Sequence, residues 1–135
     1  MKLKTIFWIT AILTLLQVAP LFGALFSEGI KEALIQDAFG VKTLSPDGML
    51  MFETFALVLG CVVLGVFFLI IGATSIKDLH ALRRISFLLF VVMGFLALPD
   101  LINAINGDPT APLPVIMLNM IALILLLYGS KRGTV

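Results

Sequence analysis

ISFLLFVVMGFLALPDLINAI, residues 85–105, is the stretch whose reading decides the fold. It is apolar for nearly its whole length, is interrupted by Pro99, and carries a carboxylate, Asp100, directly after the proline. A helix of about 20 apolar residues rising 1.5 Å each crosses the ~30 Å hydrocarbon core of a bilayer. An ionisable group inside such a helix is expensive and marks a candidate functional site. Three further runs, residues 5–26, 49–73 and 113–128, have the same character. With the third span at 85–106, they predict an all-α fold: a four-helix transmembrane bundle forming one domain over residues 1–135.

Composition supports that reading. The chain is 61% hydrophobic and only 13% charged, against the ~25% charged residues of an ordinary soluble domain. The surplus apolar surface needs lipid to face. A net charge of +1 supplies no field for nucleic acid, which is excluded as a partner. The single cysteine, Cys61, cannot form an intramolecular disulfide, and thiol oxidases of the four-helix type, which need cysteine pairs, are excluded too. One histidine, His80, rules out a haem held between paired histidines and a histidine-rich metal centre. No cofactor or metal is expected. No nucleophile–base pair and no phosphate loop is present, so the reading is non-catalytic.

The first run follows Lys2 and Lys4, as a signal peptide would, but it is longer than an ordinary h-region and no A-x-A site follows it. It reads as a retained span with Trp8 at one interface and Pro20 kinking it. Residues 27–48 form the one sizeable polar connection. Ser27 and Gly40 are a helix start and stop, and Ile30, Ala33, Leu34 and Ala38 recur at helical spacing between them. This predicts a short interfacial helix in the first outer loop, followed by a turn at Ser45-Pro46-Asp47-Gly48. Residues 74–84 read as a loop, and Pro109, Pro112 and Pro114 stiffen the connection into the last span, which ends near Tyr128. In the second span Ala56/Gly60 and Cys61/Gly65 are small-xxx-small pairs suited to close helix approach.

Basic residues set the orientation. Lys2, Lys4, Lys77, Arg83, Arg84, Lys131 and Arg132 fall at one end of a four-span arrangement, and only Lys31 and Lys42 at the other. Positive residues gather on the cytoplasmic side, so both termini are expected inside. That bias also argues against dual-topology exporters of this size.

Counting inward from the outer helix ends at 1.5 Å per residue puts Glu53 about 6 Å deep, Asn119 about 9 Å, Asp100 about 8–10 Å and Gln17 about 13 Å. Asn103 shares a helical face with Asp100. These five residues are the candidates for ligand binding or proton carriage. Met49, Met51, Met117 and Met120 lie in the same layer and are candidates for an adaptable apolar lining. Plainer roles stand beside these. Glu53 is shallow enough to be a solvated helix end, Asp100 could satisfy donors freed at Pro99, and Asn119 and Gln17 could be interhelical hydrogen-bond glue. The methionines could be ordinary core.

Four spans, termini on one side, a longer first outer loop with a short helix and the proline-flecked segment GDPTAPLP (residues 107–114) resemble the small DoxX-like bacterial membrane proteins. The ergosterol-biosynthesis scaffold family has a similar layout. The resemblance implies an accessory, scaffold or lipid-related role and a bacterial inner-membrane location.

The leading expectation is a non-catalytic membrane protein that binds an apolar or amphipathic ligand, such as a lipid, or a partner membrane protein, through an outward-facing cavity. A small proton-coupled carrier or channel using Glu53 or Asp100 is the alternative, and a membrane subunit of an enzyme the third. A homo-oligomer is compatible with the first two.

Overall fold

The computed structural model describes residues 1–107 and 111–135. Among them are five helices: α1 (Leu3–Phe26), α2 (Glu28–Phe39), α3 (Pro46–Ala73), α4 (Leu79–Asn106) and α5 (Leu113–Arg132). All but α2 are long and apolar enough to cross a membrane. The fold is therefore an all-α, four-helix bundle of a multi-pass integral membrane protein.

Three helix starts, those of α1, α3 and α4, lie earlier than hydropathy placed them, for one physical reason: polar first turns belong to helices although they do not belong to hydrocarbon. The expected turn at Ser45-Pro46-Asp47-Gly48 is the opening of α3. Ser45 is its N-cap, accepting at Oγ a hydrogen bond of 3.2 Å from the Gly48 amide, and Pro46 takes the first helical position. The expected loop at 74–84 shrinks because the Asp78 carboxylate accepts from the Ala81 amide at 2.7 Å and starts α4 at Leu79. His80, Arg83 and Arg84 thus stand on a helix. Pro20 and Pro99 lie inside α1 and α4, which continue past them to Phe26 and Asn106. Gly40 closes α2 in the left-handed conformation, with φ of 68°.

Lateral order follows from the packing. α3 lies mainly against α1, α1 against α5, and α5 against α4, whereas α3 and α4 touch little although consecutive in sequence. The small pair Ala56/Gly60 serves the α1–α3 seam: Ala56 is buried, and a Cβ on Gly60 would stand 3.1 Å from Cζ of Phe22. Cys61 and Gly65 are exposed on the other side of the helix. Leu3, Ile6, Phe7, Ile70, Leu82 and Leu126 are fully buried and form a dense core near the end carrying both termini.

That end is closed by backbone. The Leu3 amide donates to the Thr134 carbonyl at 2.7 Å and the Thr134 amide to the Met1 carbonyl at 3.2 Å. Arg83 donates from Nε and Nη2 to the Gly133 carbonyl at 3.1 and 2.9 Å. Ser86, fully buried, ties α4 to α5 by donating to the Leu126 carbonyl at 2.7 Å. Large apolar side chains such as Ile12, Leu16, Phe55, Phe68, Phe95 and Ile124 point outward around the bundle, as a lipid-facing surface requires.

Candidate functional site

A cavity of about 120 Å³ lies between α1, α3, α4 and α5, in the half of the bundle away from the termini. Each of the four spans contributes to it: Gln17, Thr14, Val18 and Leu21 from α1, Leu59, Val63 and Val66 from α3, Met93, Leu96 and Asp100 from α4, and Val115 and Asn119 from α5. The wall is apolar except for two amides, a carboxylate and a hydroxyl. Asp100 and Asn119 also line a smaller void of about 30 Å³ between α4 and α5, beside Met120.

The polar groups differ in how they are satisfied. Thr14 donates its hydroxyl to the Thr10 carbonyl one turn back, at 2.9 Å, and so presents only lone pairs to its surroundings. Asp100 and Asn103 each engage another group. The Gln17 Nε2 amide is shielded and has no hydrogen-bond partner among the described residues. A buried donor left unpaired costs about 1–3 kcal/mol, so such a group at a cavity wall points to something that pairs with it when the cavity is filled.

Of the five polar residues singled out in the sequence, the structure brings Gln17, Asp100 and Asn119 around one cavity. Asn103 is half-buried one turn beyond Asp100 on α4 and is not in the cavity wall. Glu53 lies elsewhere: its Oε1 accepts from Lys31 Nζ of α2 at 2.8 Å, and the same ammonium reaches Glu28 at 2.9 Å. The cationic partner of Glu53 thus comes from the interfacial helix and not from a span. Hydrogen bonding to Glu53, then to Glu28, raises the Lys31 pKa above its ordinary 10.5.

The methionine layer does not form the cavity wall. Met51 and Met117 are 74% and 58% exposed, so they face the surroundings of the bundle, and Met49 is half-buried away from the cavity. Met120 borders the smaller void only, while Met93, deeper on α4, is the methionine that lines the main one. Thr14 was also missed by inspection of the sequence. Its signal was the spacing Thr10, Thr14, Gln17, a polar stripe on one face of an otherwise apolar helix.

The class that fold and site define is a multi-pass membrane protein with a small, polar-flecked cavity within its bundle. No family model, curated protein or solved structure matches the chain.

Proposed function

We propose that this is a non-catalytic integral membrane protein of a bacterial inner membrane that holds an apolar or amphipathic guest in the cavity between its four spans. The guest carries a small hydrogen-bonding head and an apolar body. The observation that carries this reading is the shielded Gln17 amide, unpartnered among the described residues, beside Asp100 and Asn119 in an otherwise apolar wall. A guest oxygen accepting from Gln17 would settle that donor, while a hydroxyl on the guest would donate to Asp100 or to the Asn119 carbonyl oxygen. The resemblance to DoxX-like proteins favours the same accessory, lipid-related role.

A cavity of about 120 Å³ holds a head group or a few waters and not a whole lipid, so the apolar body extends between helices toward the bilayer. A carrier would use Asp100 alone of the two carboxylates, since Glu53 is committed to Lys31. Native mass spectrometry from mild detergent tests the proposal. A guest retained by the wild-type protein and lost from Val63→Trp, which fills the cavity from α3, supports it. Equal retention by both, or no retained guest, refutes it.

A further inference from the structure

The seam that the bundle leaves open, between α3 and α4, is a groove of about 560 Å³. That is within the ~300–1,000 Å³ of small-molecule sites. Its floor is Val66, Ala73 and Leu89, all buried, and its walls include Gly65, Gly72 and Leu88. We propose that this groove seats one acyl chain of an anionic phospholipid, with the lipid phosphate held by Arg84 and Lys77 at the basic end. The site is separate from the proposed guest cavity and shares only Val66 with it.

Length decides between a lipid chain and a second helix. From Gly65 to Ala73, where α3 ends, the wall runs about 12 Å at 1.5 Å per residue. That fits within one leaflet, about half of a ~30 Å hydrocarbon core. A docked transmembrane helix would need a seam through both leaflets; a lipid chain needs one. The groove is also purely apolar, offering a helix no interhelical hydrogen bond.

Charge decides the head group. The groove meets the interface at Ile76, directly before Lys77. Arg84 precedes Leu88 by four residues and so stands on the groove face of α4, one turn nearer the basic end. Both cations are exposed and make no ion pair among the described residues, whereas neighbouring Arg83 is committed to the Gly133 carbonyl. Asp78 already caps the α4 N-terminus, so the phosphate is left to the two side chains. Each basic residue near a membrane surface contributes about fivefold in affinity for anionic lipid.

The test adds phosphatidylglycerol or phosphatidylcholine with identical chains to the protein in mild detergent and counts bound lipid by native mass spectrometry. A Cβ at Gly72 meets nothing within 4 Å, so Gly72→Leu fills the groove without disturbing the fold. The wild type is expected to retain one phosphatidylglycerol in preference to phosphatidylcholine. Gly72→Leu should lower retention of both at least tenfold. Lys77→Gln with Arg84→Gln should keep a bound lipid and lose the head-group preference, by roughly twentyfold or more for the pair. Unchanged retention in Gly72→Leu overturns the proposal. So does a wild-type dimer that Gly72→Leu dissociates, which would assign the groove to a second copy of the chain.

Discussion

Replacing Gln17 by leucine separates a ligand-binding amide from an interhelical tether by the sign of one free-energy change. The Gln17 Nε2 amide is shielded and unpartnered among the described residues, so the empty protein carries the cost of a desolvated donor. That cost is about 1–3 kcal/mol in soluble proteins. Interhelical hydrogen bonds in membrane proteins average ~0.6 kcal/mol and reach ~1.7, because the unfolded helices also find partners in lipid. Leucine has similar volume and no polar atoms. Gln17→Leu should therefore stabilise the guest-free protein by about 0.5–2 kcal/mol, a factor of roughly 2 to 30 in its unfolding equilibrium. The same substitution should weaken guest retention about tenfold. Reversible unfolding in mixed detergent–denaturant micelles measures the first effect and native mass spectrometry the second. If Gln17→Leu destabilises the guest-free protein by about 0.6 kcal/mol or more, Gln17 is structural glue and the reasoning from its unpaired amide fails.

Three further outcomes are expected. Gly60→Val forces its side chain against the Phe22 ring, 3.1–3.6 Å from the Cβ position, and should cost about 1–3 kcal/mol in the same unfolding assay, while Gly65→Val, whose Cβ meets open space, should be close to neutral. The raised Lys31 pKa makes the α2–α3 tie a source of stability present below about pH 10.5 and lost as pH rises through the folded value; Glu53→Gln should flatten that alkaline decline in a stability-versus-pH series. In a Cys61→Ala background, a cysteine at Ser45 should label from outside intact cells and one at Ser75 should not, and the reverse pattern contradicts termini on the inner side.

The four spans were legible because hydropathy reports what a segment can be immersed in. Their ends were less so: Ser45-Pro46 and Asp78 open helices whose first turns are polar, and hydropathy stops where the helix does not. Depth was legible as well, since 1.5 Å per residue puts Gln17, Asp100 and Asn119 in one half of the bundle. Rotation was not, for the methionines. A helix that is apolar all round carries no phase in its sequence, so nothing marked Met51 and Met117 as outward and Met93 as inward. The pairing of Glu53 with Lys31 joins a span to the interfacial helix across 22 residues, and inspection of the spans alone could not reveal it. The same holds for the clasp of Arg83 on Gly133, which links α4 to the chain end.

The most direct measurement of the central claim is a high-resolution structure of the protein in lipid nanodiscs, prepared without detergent extraction of its bound molecules. The account predicts non-protein density in the cavity within about 3.2 Å of Gln17 Nε2, with Asp100 or Asn119 as a second polar contact. A cavity that is dry and empty, or a Gln17 amide paired with a neighbouring helix, would contradict it.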